Sequence, residues 1–349
     1  MDKNRLSESE HLVEVTAELS EALNLHFYST ATAKKVRNKY LMRLALKEKG
    51  LKVPNFMEIL DHDALNAVES QIAFPAVLKP INGYSSINVK RIDSINQLSD
   101  TLKTSNKKNS SDGWGMGIEN SYIIEEYIDG LEYSVESVVF NDKIIHLGVT
   151  SKFKNKEPYF EEIGQLVPAK IDEQLKQGLY NIAEQGIKAL NLTNCATHTE
   201  ILNSSQGLVI VEIGGRLAGD KIPYLVNLSS GIDMSLLTAY AAIKNPCPVI
   251  NQVKNKVSYI AYFVPDKKQT IEKVVNQAPE IKNLIEFEFW GEVGQTIAPP
   301  PEQYFCRIGH AIVVGDGYEE CNKRIREVIK WISDETGISL EDVSFLKNN

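Results

Sequence analysis

Residues 197–220, THTEILNSSQGLVIVEIGGRLAGD, read as two short strands joined by a turn at Ser204–Gly207 and followed by a glycine-flexed bend. Each strand carries one glutamate in an apolar frame, Glu200 in Thr197–Leu202 and Glu212 in Leu208–Ile213. Pairing of the strands would set the two carboxylates side by side, where they repel unless a cation lies between them. Two buried glutamates with no cation are costly. The pair is therefore a candidate site for Mg²⁺, a hard ion that takes carboxylate, water and phosphate oxygens. Arg216, four residues after Glu212, can reach the same phosphates bidentately. Gly214, Gly215 and Gly219 let the backbone come close to a ligand. His198 shares the strand face of Glu200. It reads equally as a residue that orients substrate or ligand and as a packed histidine.

Upstream, AVLKPINGYSSINV (76–89) delivers Lys79 from an apolar strand and opens into a Gly/Ser turn. Backbone N–H groups in such a turn can cradle phosphate, with the lysine as compensating charge. No GxxxxGK[ST] loop is present, and alone the stretch reads as a hairpin. IIEEYIDGLEYSVE (123–136) places Glu125, Glu126, Glu132 and Glu136 on strands broken at Asp129-Gly130. Carboxylates accept from ribose hydroxyls, and a free strand edge can pair with adenine. Alone, that stretch reads as a solvent-facing strand with alternate acids.

Around these segments the pattern predicts a capped amphipathic helix over Ser7–Leu23, with Leu12, Val15, Leu19 and Leu23 as its apolar stripe. A second helix is predicted from about Thr32 to Lys49, stopped by Gly50. Strands follow at Phe56–Leu60, Ala76–Lys79 and Asn88–Ile92, with helices after Asp63 and near Ile95–Leu102. Residues 104–117 read as a polar, glycine-rich loop. Strands at Tyr122–Tyr127, Glu132–Phe140 and Ile144–Ser151 lead through a charged loop, Lys152–Glu162, to a helix at about Asp172–Leu190. Past a boundary at Pro246–Pro248, strands Val257–Val264, Leu284–Phe289 and Arg307–Val314, with helices near Thr270–Asn276 and over Tyr318–Trp331, form a small α+β module.

The 349 residues are 43% hydrophobic and 24% charged, enough for two or three cores. A net charge of −8 disfavours a nucleic-acid partner, yet a cleft can still gather lysines for a nucleotide. Cys195, Cys247, Cys306 and Cys321 are dispersed and read as reduced thiols of a cytoplasmic protein. No apolar run approaches a membrane span, and the polar start is unlike a signal peptide.

The three elements occur in the order and spacing of the ATP-grasp superfamily and resemble its L-amino acid ligase branch, over about residues 8–340. The resemblance implies an α+β ATP-grasp fold, two subdomains clamping ATP, with bounds at 1–52 (helical remnant and linker), 53–128 (small subdomain with the phosphate-loop lid), 129–250 (large subdomain) and 251–349 (C-terminal module). The family's NKxxMR-like string matches Asn38-Lys39 and Met42-Arg43, its strand lysine Lys79, and its phosphate loop Gly83-Tyr84-Ser85-Ser86-Ile87-Asn88-Val89. Its vEEyxxGxEyS strand matches Glu125–Ser134. The carry-over gives adenine contacts to Glu125 and to the backbones of Glu126 and Ile128, and a ribose contact to Glu132. It gives nucleotide contacts to Lys39, Lys79, Gly83, Ser85, Ser86 and Arg216, and the metal to Glu200 and Glu212. Arg216 and Lys79 are the catalytic pair, with His198, Arg216, Gly219 and Asp220 toward substrate. Gly214 stands where many members have a metal-ligating asparagine, and offers no side-chain oxygen. GQLVPA (164–169) resembles a stretch on the substrate side, and RIGHAIVVGDGYEEC part of the branch's C-terminal domain.

The resemblance further implies a ligase that phosphorylates a carboxylate from ATP and lets an amine attack the acyl phosphate, under a lid formed by Gly83–Asn88 and residues 154–164. An ATP-binding subunit without chemistry and a purine-pathway ligase resembling glycinamide ribonucleotide synthetase are the alternatives. Only some 30 residues precede Asn38, where this branch usually carries an α/β domain. The expectation is a truncated or split enzyme, its first helix covered by its own body, a second copy or a partner chain.

Overall fold

The computed structural model describes residues 10–59, 65–84, 86–105, 121–155, 158–243, 247–250, 252–304 and 306–343. Ser7, Leu60, Asp63, Ser85, residues 106–117 and Pro246, all read above, lie outside that set. A single 3-10 turn, Glu10–Leu12, leads into α1 (Val13–Ala22). The buried face of α1 is Val13, Ala17 and Ser20, while Val15 (57%), Leu19 (50%) and Leu23 (57%) are exposed. The predicted stripe is thus the outer face. Small residues spaced i, i+4, i+7 make the contact instead and let the helix lie close.

The helix predicted over Thr32–Lys49 is two helices, α2 (Thr30–Arg37) and α3 (Lys39–Glu48). Asn38 breaks them with extended backbone (φ −103°, ψ 109°), and its side chain accepts from Leu41 N at 3.0 Å as the cap of α3. Gly50, at φ +76°, closes the segment.

Next comes a four-stranded antiparallel sheet. In chain order its elements are β1 (Phe56–Ile59), α4 (Leu65–Gln71), β2 (Ala76–Pro80), β3 (Lys90–Ile92), α5 (Ile95–Ser105) and β4 (Tyr122–Glu126), with strand order β1-β4-β2-β3. Val68, Leu98 and Leu102 of the two helices, with Ile72 just past α4, pack on Ile59, Leu78 and Ile92.

The rest is organised by one eight-stranded antiparallel sheet, order β12-β14-β10-β7-β6-β5-β8-β9. Its first part comprises β5 (Gly130–Phe140), β6 (Lys143–Lys154), β7 (Glu162–Val167), α6 (Glu173–Leu190), β8 (Ala196–Ser204) and β9 (Gly207–Gly214). Helices α7 (Ile222–Ser230) and α8 (Met234–Ala242) follow, then β10 (Val257–Tyr262), β11 (Gln269–Thr270), β12 (Leu284–Phe289), β13 (Thr296–Ile297), β14 (Gly309–Gly315) and α9 (Tyr318–Thr336). Helices α2, α3 and α6 bury Val36, Met42, Leu46, Leu179 and Ile187 against one face of the sheet. The other face carries α7, α8 and α9.

Three expectations change here. The strands of the C-terminal segment continue the large sheet, because β10 pairs with β7 and is buried at all six positions as an interior strand. No helix forms over Thr270–Asn276; Gln269–Thr270 pair with Thr296–Ile297 and irregular backbone follows. Finally, β7, α7 and α8 have no counterpart in the sequence reading. Residues 222–242 are apolar around the helix and show little amphipathic contrast, so periodicity is weak there.

Candidate active site

A cavity of about 790 Å³ lies between the two sheets. The small sheet supplies Val77 and Lys79 from β2 and Glu125 and Glu126 from β4. The large sheet supplies Glu132, Lys152, His198, Glu200 and Glu212 from β5, β6, β8 and β9.

On the small-sheet wall, Lys79 Nζ lies 2.5 Å from Glu125 Oε2. Arg43 Nε lies 2.6 Å from Glu125 Oε1, an ion pair rather than an aligned hydrogen bond. Arg43 also donates to Val211 O of β9 at 2.7 Å, so it ties the two sheets together. Burial alone would push the Glu125 carboxyl up, but Arg43 and Lys79 outweigh it and lower it from 4.5 to about 2. Lys79 is shifted downward, first by burial and then by Arg43, against the pull of Glu125. The Glu125 carboxylate thus sits between two cations at the edge of the cavity. The N–H of Glu126 donates to Asn55 O at 2.8 Å. Ile128 lines the cavity in the link between the sheets.

The loop after β2 is a run of tight turns, Gly83 N to Pro80 O at 3.3 Å, Ile87 N to Tyr84 O at 3.2 Å and Val89 N to Ser86 O at 3.1 Å. Ser86 (φ 54°) and Asn88 (φ 58°) take left-handed backbone, and Gly83 and Ser86 line the cavity. Lys39, the first residue of α3, donates to Gly83 O at 2.6 Å and to Glu212 Oε1 at 3.0 Å, joining the loop to β9.

On the large-sheet wall, register does what the sequence required: Glu200 of β8 lies directly across from Glu212 of β9. Glu200 is held by Lys152 and by His198 Nε2 at 3.2 Å. His198 Nδ1 reaches both oxygens of the buried Glu136 at 3.0 Å. Burial opposes the imidazolium, but Glu136 and Glu200 prevail and raise His198 from 6.5 to about 10. Glu200 goes far down, burial again opposed by Lys152 and His198. Lys152 is the hub, also meeting Glu162 at 2.7 Å and Glu132 at 3.4 Å; Glu132 is held in addition by Lys154. The carboxylate oxygens of Glu132, Glu162 and Glu200 come within 4.8 Å of one another. Hard oxygens in this number suit a divalent cation.

Arg216 follows β9, lines the cavity, and is paired with Glu10. A Cβ on Gly214 would meet only ordinary contacts. One on Gly215 would come within 2.8 Å of Tyr28 Oη, so Gly215 serves packing on Tyr28 rather than approach to a ligand. Gly219 borders the cavity in open space. Asp220 takes Arg307 in a two-pronged pair at 2.8 and 3.1 Å and Gln165 Nε2 at 3.1 Å. Arg307 also donates to Glu161 at 3.1 Å and lies 3.8 Å over the Tyr262 ring. Burial pushes Glu161 up against that arginine.

Arg43, Lys152, Glu136, Arg307 and Glu10 were not assigned roles from the sequence. Two signals were available. Lys39 and Arg43, four apart, share a face of α3 among apolar neighbours Leu41, Met42 and Leu46, and Lys152 and Lys154 alternate on one strand face.

Residues 72–224 match the family model of the ATP-grasp domain. With the two sheets and the cleft between them, this defines the class: the chain has the ATP-grasp fold, and residues 72–224 carry its ATP-grasp domain. Among solved structures it is similar to an L-amino acid ligase from Bacillus licheniformis, with a TM-score of 0.79 over 95% of this chain and 80% of that one, at 24% identity. Among curated sequences it is similar to alanine–anticapsin ligase of Bacillus subtilis (strain 168), 27% identical over 63% of this chain and 50% of that protein. It is also similar to the uncharacterized protein y4rH of Sinorhizobium fredii, 23% identical over 84% and 60%. The chain spans about half to three fifths of the length of these curated relatives. No helix among the described residues is long and apolar enough to cross a membrane.

Proposed function

We propose that the chain is an ATP-dependent carboxylate–amine ligase that joins an amino acid to an amine through an acyl phosphate. The observation that carries this reading is the face-to-face placement of Lys79 and Glu125 on one wall and the register-paired Glu200 and Glu212 on the other. Phosphoryl transfer is a problem of positioning and charge neutralisation, and the cleft has cations and carboxylates set for both.

In this reading the apolar link around Ile128 receives the adenine, with Glu132 toward the ribose. Lys79, Lys39, Arg216 and the turns at 83–89 hold the phosphates. Glu200 and Glu212 would hold Mg²⁺, which supplies charge neutralisation at the transferred phosphoryl group. Lys39 and Lys152, the ammonium groups now on those acids, would move onto phosphate oxygens. His198, protonated at neutral pH, fixes Glu200 from the side opposite Lys152. Asp220 and Gly219 face the acid and the amine. Among the described residues, Gly83, Tyr84, Ser86–Asn88, Lys154, Asn155 and 158–164 would close over the cleft and keep water from the acyl phosphate.

Similarity to named ligases supports the class of reaction. The L-amino acid ligase and alanine–anticapsin ligase support an amino acid as substrate. The test is release of ADP and phosphate over a panel of amino acids offered as acid and as amine. Stimulation by one pair with formation of its amide supports the reading; tight ATP binding with no release for any pair supports the binding-subunit alternative, which the absent oxygen at Gly214 favours.

A further inference from the structure

We infer that Glu10 is a positioning residue for Arg216: it grips the arginine from behind and aims its remaining N–H groups into the cleft. This rests on the phosphate role proposed for Arg216. Glu10 opens the 3-10 turn before α1 and is 7% exposed, unusual burial for an acid. One carboxylate oxygen accepts from Arg216 Nε and the other from Arg37 Nη1 of α2 at 2.7 Å. Arg216 Nη1 donates to Leu217 O at 2.8 Å. A guanidinium is a rigid planar fork, so fixing Nε and one terminal nitrogen fixes the direction of its remaining N–H groups.

The cavity decides between an anchor and a plug. Arg216 is part of its lining, whereas Glu10 and Arg37 are not. A carboxylate that competed with phosphate would stand in the cavity; this one stands behind its wall. Charge gives the anchor a purpose. Glu212 and Glu200 both attract Arg216, and without a counter-pull the arginine would fall onto the acid pair and neutralise it. Glu10 supplies that pull and stays ionised while doing so: burial raises its carboxyl, but Arg216 and Arg37 bring it from 4.5 down to about 2. One carboxylate between two arginines leaves a surplus positive charge on the cavity side.

The grip extends to the phosphate loop. Arg37 Nη2 donates to Asn82 O at 3.1 Å. The His11 ring meets Tyr84 edge-on at 4.8 Å between centroids. Glu10 therefore couples the arginine on the large sheet to the loop of the small one.

The test is calorimetric binding of a non-hydrolysable ATP analogue with magnesium to the full chain, for wild type, Glu10→Gln, Arg216→Lys and the double variant. Glu10→Gln keeps the side-chain shape and is expected to weaken binding about tenfold, the size of coupling between charged neighbours. The double variant is expected to bind no more weakly than Arg216→Lys, because the effect of Glu10 runs through the arginine. Glu10→Asp, which retains the charge, is expected to recover most of the affinity and serves if Glu10→Gln misfolds. Wild-type affinity in Glu10→Gln, or losses that multiply in the double variant, would overturn the inference. Binding without turnover in the wild type would instead sink the ligase reading and leave this one standing.

Discussion

On the small-sheet wall a single carboxylate, Glu125, lies between two buried cations, Arg43 and Lys79. On the large-sheet wall five carboxylates, Glu132, Glu136, Glu162, Glu200 and Glu212, are shared among Lys39, Lys152, Lys154 and a protonated His198. Both walls are built by closing buried charges on one another, as desolvation demands. Within these ion pairs the surpluses differ in sign: the first set has a cation left over, the second an acid, while Glu126 and Arg216 line the cavity outside both sets. In the proposed reading a triphosphate carrying a divalent cation would meet both needs at once, phosphates toward Lys79 and metal toward Glu200 and Glu212.

The comparison breaks most severely at Glu125. Glu125→Gln strands Arg43 and Lys79 without a counter-charge, and breaking a buried pair costs about 3–5 kcal/mol. Urea unfolding should show a loss of that size, whereas a loss under about 1 kcal/mol would mean that water, not Glu125, satisfies the two cations. Lys79→Met removes the surplus cation itself. Phosphate release should fall on the order of 10²-fold, and an unchanged kcat would reduce residues 79–89 to a hairpin.

The acid limb of stability sharpens the contrast further. Glu10 and Glu125 are held at about 2 against an unfolded value of 4.5. Their contribution is complete above 4.5 and is lost as pH falls through 2. Wild type should therefore lose stability between those limits more steeply than Glu125→Gln in a pH series of denaturant melts; parallel curves would contradict the low carboxyl of Glu125. The smallest effect is at Asn38, whose cap sets the start of α3 and so the reach of Lys39 between the walls. Asn38→Ala should cost about 1 kcal/mol by the same unfolding assay.

Much of this was legible in the chain because strands have a period of two. Glu200 and Glu212 sat in apolar alternation, and only a hairpin register could make neighbours of them. The small-sheet strands were bounded within a few residues for the same reason, and α6 by its helical period and the Asp172 cap. What escaped was whatever depended on tertiary pairing. Nothing local in Val257–Tyr262 says that it pairs with β7, which is why the C-terminal segment looked separate. Lys152 and Arg307 are ordinary residues until Glu162 and Asp220 arrive from elsewhere in the sequence. Glu10 carried no site signal because its two arginines are 27 and 206 positions away. The stripe of α1 failed for a related reason: hydrophobicity named Val15 and Leu19, while close packing selected Ala17 and Ser20.

The most direct test of the two-wall account is the magnesium dependence of nucleotide binding, measured by calorimetry for wild type and Glu212→Ala. The account predicts that wild type binds ATP tightly only with magnesium, that Glu212→Ala loses most of that gain, and that its phosphate release is abolished. Equal affinity with and without magnesium in the wild type, or phosphate release near the wild-type rate in Glu212→Ala, would contradict it.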